Sequence, residues 1–319
     1  MNVNGEVEKE VEKKPLRLCV FGHTTIDHVM TAPSLPEPDT SIEVTSHIVS
    51  FGGTGANIAR AAARLGVKTY LSSPVGNDLP DDFRRTLESD GVDLSGLIFV
   101  ENAMTPRCWI ISDPGHRQMA IMDQGAMREA EKLVFPKDVV DRSTHVHVGT
   151  GRPGYYRRVM KYAREIGKVV AFDPAQEIRY VYTPEFFREL LSLADIFFAN
   201  QREMEVAMAY LGLRDMSEML EWVNVLVVTR GEKGSVILSD SKVFDIPPIP
   251  PKKVVDTTGA GDAYRGGFYA GLARGLPLYE TGLVASATAS FAVESPTPQE
   301  GLPTWDMVAE RLNRMGYGV

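Results

Sequence analysis

The sequence predicts an α/β protein of three layers, in which helices cover both faces of a mostly parallel central sheet, with a small second β-sheet added. Two observations support this fold class. From Thr144 onward, short apolar runs alternate with helical patterns, as expected for parallel strands joined by right-handed crossovers. Two pairs of strand-like stretches lie outside this alternation, at separate places in the chain, and can combine into an accessory sheet.

The composition is that of an ordinary globular protein. The 319 residues suffice for one large α/β domain or two smaller ones, with 44% hydrophobic and 24% charged residues. The formal net charge of −8 argues against a nucleic-acid or membrane partner, because such surfaces concentrate Lys and Arg, and no apolar run approaches the length of a membrane span. We therefore expect any anionic ligand to be held locally, by backbone N–H groups or a few arginines.

The N-terminus and the cysteines predict a cytoplasmic protein. Residues 1–14 alternate Glu and Lys with almost no apolar content, which predicts a disordered charged tail rather than a targeting segment and leaves residues 15–319 as the folded domain. Only two cysteines occur, Cys19 in an apolar run and Cys108 before Trp109, so neither a disulfide scaffold nor a cysteine-based metal site is expected.

The first strand is predicted over Leu16 to Phe21, an apolar run that ends at Gly22. The polar cluster His23 to Asp27 follows, where an α/β sheet presents its ligand contacts. Asp27 can accept hydrogen bonds from two neighbouring sugar hydroxyls, because both carboxylate oxygens are acceptors. A turn or helix-cap role for Asp27 is equally compatible with its position after a strand.

The accessory sheet is predicted from four stretches. His28 to Thr31 and Ser41 to Ser50 form the first pair, and Arg107 to Ser112 and Gln118 to Asp123 form the second, joined by the turn residues Asp113-Pro114-Gly115. A sheet inserted in this way is suited to be a lid. We place this lid at about residues 28–50 and 104–124.

A glycine-rich segment connects the first accessory pair to a helix of small residues, Ile58 to Leu65. Gly52 and Gly53 would let backbone N–H groups approach a ligand, and Asn57 can both donate and accept hydrogen bonds. A flexible start to the helix explains the same residues equally well.

The second half of the chain has four strand-like runs that alternate with three helical patterns. The runs are His145 to Val148, Lys168 to Phe172, Ile196 to Ala199 and Val223 to Val228, and the helical patterns are Tyr155 to Ile166, Pro184 to Leu193 and Arg202 to Leu211. Asp173 and Asn200 both follow such runs, and they should therefore lie at the same edge of the sheet as Asp27. His145 and His147 share a strand face, but without a third ligand they do not indicate a metal site. The segment Thr229 to Ser235 is compatible with a plain hairpin or with the glycine-rich edge of a nucleotide pocket.

The stretch Asp256-Thr257-Thr258-Gly259-Ala260-Gly261-Asp262 carries the chemistry of the predicted site. A glycine-rich turn that leads directly into a helix presents free N–H groups to a phosphoryl group or a developing oxyanion. Asp262 stands next to that turn, where it can take a proton from a hydroxyl. A tight turn with a helix-capping Asp is the alternative for this motif alone.

Taken together and in order, five motifs resemble the PfkB, or ribokinase-like, family of carbohydrate and nucleoside kinases. They are Gly52-Gly53, Asn57, Asn200-x-x-Glu203, Thr229-x-Gly231 and Asp256 to Asp262. A finer resemblance, to the archaeal nucleoside kinases of this family, rests on four segments: Gly22 to Asp27, Thr105 to Trp109, Gly261 to Arg265 and Leu302 to Asp306.

The resemblance implies a ribokinase-like fold with a β lid, a homodimer formed through the lids, and a role for each motif. Asp262 would be the general base, and the turn before it an anion hole. Asn200 and Glu203 would position Mg²⁺ through water. ATP, or else ADP, would be the phosphoryl donor. The anion-hole residues are Gly259, Ala260 and Gly261; the nucleotide-binding residues are Asn200, Thr229, Gly231, Thr257, Gly259 and Gly261; the acceptor contacts are Asp27, Gly52, Gly53 and Asn57.

The acceptor is the open question. The leading hypothesis is the 5′-hydroxyl of a nucleoside (guanosine, inosine, cytidine or adenosine), and the alternative is a sugar or sugar phosphate such as ribose 1-phosphate, ribose or fructose 6-phosphate. A base would need an apolar wall, and a phosphate would need cations. A catalytically silent binding protein is disfavoured, because Asp262 and its glycines are intact. The wall residues are Trp109, Met119 and Met122, and the cations are Arg107, His116, Arg117 and Arg152.

Overall fold

A computed structural model describes residues 15–115, 117–240 and 242–319 of the chain. The charged tail predicted over residues 1–14 lies outside the described residues, and so does His116. None of the helices in the described ranges combines the length and the hydropathy that a membrane crossing requires.

The strands and helices follow one another in the alternating order that the sequence predicts. The strands are β1 Arg17–Phe21, β2 Thr25–Thr31, β3 Ser46–Gly52, β4 Lys68–Ser72, β5 Pro74–Gly76, β6 Val92–Asp93, β7 Ile98–Val100, β8 Arg107–Ser112, β9 Gln118–Asp123, β10 His145–Val148, β11 Val169–Phe172, β12 Ile196–Asn200, β13 Val225–Thr229, β14 Ser235–Ser239 and β15 Lys242–Ile246. The helices are α1 Thr54–Arg64, α2 Asp81–Ser89, α3 Lys137–Arg142, α4 Pro153–Glu165, α5 Pro184–Leu191, α6 Gln201–Leu211, α7 Ala260–Ala273, α8 Leu278–Ala292 and α9 Trp305–Arg314.

Within the described part of the chain, the central sheet has nine strands in the order β15-β14-β13-β12-β11-β10-β1-β4-β6. All neighbouring strands from β13 to β6 pair in parallel, whereas β14 runs opposite to both of its neighbours, β13 and β15. The sheet is therefore mostly parallel, as the alternation of runs predicts. Because the carboxyl ends of the parallel strands share one edge, the residues after β11 and β12 reach the same rim.

Two apolar cores, one on each face of the central sheet, establish the three layers. Successive side chains of β1 point to opposite faces: Leu18 and Val20 join a core with α1, α7 and α8, while Cys19 and Phe21 join a core with α4 and α5. The hydrophobic runs of the parallel strands are explained by this double burial, since neither face is left to solvent.

A second, small sheet consists of four strands in the order β3-β2-β8-β9, and we refer to it as the small sheet. Strands β8 and β9 have the bounds that the sequence predicts. The first pair differs from the predicted stretches, which begin at His28 and end at Ser50. Strand β2 begins at Thr25, strand β3 ends at Gly52, and these two residues pair with each other. Asp27 therefore lies within a strand and not in a turn. The two hairpins are joined by parallel pairing of β2 with β8.

The two faces of the small sheet carry different rows of side chains. Register places Asp27, Cys108 and Met122 side by side on one face. The neighbouring row, His28, Trp109 and Ile121, lies on the opposite face because side chains alternate along a strand. This alternation decides which residues of the small sheet can reach the site described below.

Candidate active site

The turn before α7 is arranged to bind an anion. The helix begins at Ala260, and its N-cap Gly259 has a φ of 77°, a conformation that favours glycine. A side chain there would also collide with Pro298, whose Cβ lies 2.5 Å from the position of an added Cβ. The Asp256 carboxylate accepts from the Thr258 N–H at 2.7 Å and fixes the turn. The Ala260 N–H donates to the Thr257 carbonyl oxygen at 3.3 Å, and the other N–H groups at this helix start, which have no acceptor within the helix, are available to an anion.

Asp262 occupies the third position of α7 and is held by Asn57 of α1. The Asn57 Nδ2 donates to Asp262 Oδ2 at 2.8 Å, and Gln299 Nε2 donates to Asn57 Oδ1 at 2.9 Å. The two helices approach closely because small residues line their contact: a Cβ on Gly266 would lie 2.5 Å from the Cβ of Ala61. This packing brings together two motifs that are far apart in the sequence.

The environment of Asp262 makes it a suitable proton acceptor at neutral pH. Burial raises the pKa of Asp262 to about 7, and the charges of Asp173 and Asp27 act in the same direction. The hydrogen bond from Asn57 and the charge of Arg265 act in the opposite direction. A carboxylate with a pKa near the working pH combines a useful ionised fraction with greater basicity.

Asp27 lies close enough to Asp262 for its charge to raise the pKa of Asp262. Its carboxylate is buried and accepts from Thr25 Oγ1 at 2.6 Å. Burial raises the pKa of Asp27 to about 6, against the effect of that hydrogen bond. Gly52 makes room for it, since an added Cβ would lie only 1.9 Å from Asp27 Oδ2. Gly53 follows as the N-cap of α1, the helix that carries Asn57, so Gly52 at the Asp27 carboxylate is directly connected to that helix.

A cavity of about 460 Å³ opens beside the anion-binding turn. Thr229 and Gly231 lie on one side, and Thr257, Ala260 and Gly261 lie at the turn itself. Prolines, Ile249 and Val254 supply an apolar wall. The segment from Thr229 to Ser235 is thus both the hairpin and the cavity edge that the sequence left open. The size of the cavity and its apolar lining suit the base and ribose of a nucleotide.

Asn200 and Glu203 form a capping box at the start of α6. Asn200 Oδ1 accepts from the Glu203 N–H at 2.9 Å, and Glu203 accepts from the Asn200 N–H and from its Nδ2, both at 2.7 Å. Burial raises the pKa of Glu203. Within the described residues, no group of three or more His, Cys, Asp or Glu side chains could hold a metal directly. Because the capping box already uses both Glu203 carboxylate oxygens and Asn200 Oδ1, the pair is suited to contact the water ligands of Mg²⁺.

The structure does not bring Arg107 and Trp109 together with the other predicted acceptor residues. Arg107 pairs with Asp78, 2.6 Å between Nη2 and Oδ2, and Trp109 stacks on His28 with 5.5 Å between ring centroids. Both side chains lie on the face of the small sheet opposite Asp27. On the Asp27 face their places are taken by Cys108 and Met122.

Sequence reasoning missed the contacts that tie the site together. The Asn57–Asp262 hydrogen bond, Gln299, and an ion pair between Asp173 and Arg265 are all absent from the predictions. Arg265 had a detectable signal, because a residue three positions after Asp262 in a helix lies on the same side. Gln299 had none, since it lies in an irregular segment far from Asn57 in the sequence.

Comparison with known proteins agrees with this geometry. Residues 16–305 match the pfkB family carbohydrate kinases. The chain is 37% identical to a nucleoside kinase of Methanocaldococcus jannaschii over 93% of this chain and 97% of that protein, and 36% identical to a nucleoside kinase of Methanothermobacter thermautotrophicus over 94% and 97%. The crystal structure of the M. jannaschii nucleoside kinase, a member of the ribokinase family, superposes with a TM-score of 0.88 over 94% of this chain and 99% of that one, at 36% identity. The predicted ribokinase-like fold is thereby confirmed.

Proposed function

Since the chain belongs to the PfkB family of carbohydrate kinases, we propose that it transfers the terminal phosphoryl group of a nucleotide to the 5′-hydroxyl of a nucleoside. The observation that carries this proposal is the position of Asp262, in the first turn of a helix whose start is suited to an anion and within electrostatic reach of Asp27, a second carboxylate suited to sugar hydroxyls. The two relatives with 36–37% identity are both nucleoside kinases, which favours a nucleoside over a free sugar.

In this mechanism Asp262 is the general base. Its carboxylate takes the proton of the acceptor hydroxyl as the oxygen attacks the terminal phosphorus in line with the leaving group. The N–H groups at the start of α7, from Gly259 to Gly261, meet the charge that develops on the transferred phosphoryl group. Asn57 keeps the base in place by its 2.8 Å hydrogen bond.

The donor lies in the cavity between the hairpin and α7, with its phosphates at the turn and its base against the apolar wall. We propose ATP as the donor, with ADP as the alternative. Mg²⁺ bound to the donor phosphates would neutralise their charge, and Asn200 and Glu203 would hold its waters. Removal of Mg²⁺ with EDTA should abolish turnover, and added Mg²⁺ should restore it.

The acceptor lies between Asp27 and Asp262. Asp27 accepts from the sugar hydroxyls, and Asn57 and the backbone at Gly53 border the same space. Two of the arginines that a phosphorylated acceptor would need are already paired: Arg107 with Asp78, and Arg117 with Asp113. Arg152 remains a cation for such an acceptor, because its buried Nε has no hydrogen-bond partner among the described residues.

The small sheet is proposed to be a lid over the acceptor and the contact between two subunits. Closure of a lid excludes water and limits hydrolysis of the donor. The face opposite Asp27 exposes Val49 and Ile121, each with 55% of its surface accessible, which a second copy would cover. We propose the cytoplasm as the location, because Cys19 and Cys108 are both unpaired, as is usual in reducing compartments.

A panel of acceptors tests the proposal. Guanosine, inosine, cytidine, adenosine, ribose, fructose 6-phosphate and ribose 1-phosphate are each assayed with ATP and with ADP, and the Asp262→Asn variant is the control for contaminating kinases. We expect turnover of at least one nucleoside with kcat/KM well above that of ribose. Robust turnover of ribose 1-phosphate without any nucleoside would replace the nucleoside with a sugar phosphate.

A further inference from the structure

A buried ion pair lies directly behind the anion-binding turn. Arg265 of α7 and Asp173, which follows β11, are only 5% and 4% exposed. The guanidinium binds the carboxylate through two hydrogen bonds, Nε to Oδ2 at 2.7 Å and Nη2 to Oδ1 at 3.2 Å. This bidentate geometry fixes the plane of the guanidinium as well as its position.

The third nitrogen of Arg265 reaches the turn itself. Nη1 donates to the carbonyl oxygen of Gly261 at 3.2 Å, so the guanidinium connects Asp173 to the residue immediately before Asp262. The fit is close, because a Cβ on Gly261 would lie 3.1 Å from Arg265 Nη1. A shift of the guanidinium would therefore displace the first turn of α7.

The charged side chains that act on the pair lie at the rim of the cleft. Asp173, Glu203 and Asp262 face Arg265, and together they raise its pKa against the lowering effect of burial, so the guanidinium stays charged. Arg265, Asp173 and Asp27 face Asp262. His147 of β10 lies 3.6 Å from Asp173, but burial lowers its pKa to about 4, so it adds no charge at neutral pH.

Stability alone is a weak reason for this arrangement, since buried ion pairs are often replaced by apolar residues without loss of stability. We propose that Arg265 is a positioning residue for phosphoryl transfer: it holds the Gly261 carbonyl, and with it the start of α7, and it keeps a fixed positive charge beside Asp262. Asp173 orients the guanidinium and moderates the effect of its charge on the base. This inference rests on the proposed function of Asp262 as the base.

The test compares two variants that change the local charge in opposite senses. Asp173→Asn leaves Arg265 charged, and the lost negative charge should lower the pKa of Asp262, so the acidic limb of kcat/KM should move to lower pH by about one unit. Asp173→Asn combined with Arg265→Met then removes the positive charge. Relative to Asp173→Asn, the acidic limb of kcat/KM should return to higher pH by about one unit. The kcat should fall by about tenfold or more, because the Gly261 carbonyl loses its donor, and the acceptor KM should stay within about threefold.

Arg274→Met is the matched control. Arg274 lies at the other end of α7 and also donates to a carbonyl four residues earlier, from Nη1 to Ala270 O at 3.1 Å, but it is remote from the turn. Its loss should lower the melting temperature and leave the pH profile and kcat unchanged.

The outcomes separate this inference from the function on which it rests. If the wild type phosphorylates no nucleoside, the proposed function fails. If the wild type is active, the acidic limb of Asp173→Asn coincides with that of the wild type and the double variant keeps the wild-type kcat, the positioning role is overturned. Should Asp173→Asn not fold, the double variant alone decides, because wild-type kcat in that variant contradicts the inference.

Discussion

The two halves of the cleft, one proposed to bind the donor and the other the acceptor, are built in different ways. The donor half centres on one turn and the helix that follows it, so Thr257, Gly261 and Asp262 lie within one short segment, although the distant Asn57 also holds the Asp262 side chain. The acceptor half is assembled from two distant hairpins whose strands β2 and β8 meet only by lateral pairing. In the proposed function, the residues for phosphoryl transfer are therefore specified mainly by one short segment of sequence, whereas the choice of acceptor depends on the register of the small sheet.

Turnover should be almost abolished when Asp262, the proposed base, is replaced by a neutral residue. Asp262→Asn keeps the shape of the side chain and removes its basicity, so we expect kcat to fall by about 10²- to 10⁴-fold. The donor Kd, measured by calorimetry, should change by less than about threefold, because the N–H groups of the turn remain. A kcat within threefold of the wild type would remove Asp262 from the role of base.

The acceptor half should lose binding when its carboxylate is removed. Asp27→Ala deletes two charge-assisted hydrogen bonds to the sugar, and the acceptor KM should rise by about 100-fold or more. The KM of the nucleotide should stay within about threefold, which steady-state kinetics with both substrates varied will show. Gly52→Ala is the companion variant, because its new Cβ displaces the Asp27 carboxylate. An equal effect on both substrates would place Asp27 outside the acceptor site.

The pH profile should report both carboxylates. Burial raises the pKa of Asp262 to about 7 and that of Asp27 to about 6, and we expect both groups to act in their ionised forms. The acceptor kcat/KM should therefore fall below pH 7, by about tenfold per pH unit at first and more steeply below pH 6. A profile that is flat between pH 5 and pH 8 would contradict these pKa shifts.

The two faces of the small sheet should separate in function. Met122→Ala on the Asp27 face should raise the acceptor KM by about tenfold through lost apolar contact, without changing the subunit assembly. Ile121→Asp, one residue earlier on the opposite face, should dissociate the proposed dimer and change the acceptor KM by less than about threefold. Light scattering measures the subunit assembly, and steady-state kinetics measure the acceptor KM. Exchanged effects of the two variants would mean that the faces are assigned in reverse.

Most of the fold could be predicted from the sequence, because burial on both faces leaves a readable pattern. The runs around β10 to β13 and the helices between them were predicted to within a few residues, and β8 and β9 were predicted at both ends. The prediction that Asp27 lies in a polar cluster before the accessory sheet was wrong. Polar residues before Asp27 are typical of a turn, and only pairing with β3 and β8 makes the segment extended.

By itself, the sequence determined the family, the turn that binds anions and the identity of the proposed base. These features depend on glycine conformation and on the start of one helix, and both are properties of neighbouring residues. Only the tertiary structure decided which side of the small sheet faces the base. It also decided that Asn57, Asp173 and Arg265 surround Asp262. The physical reason is that strand register and the contact of α1 with α7 are set by packing across the whole domain, which no local pattern records.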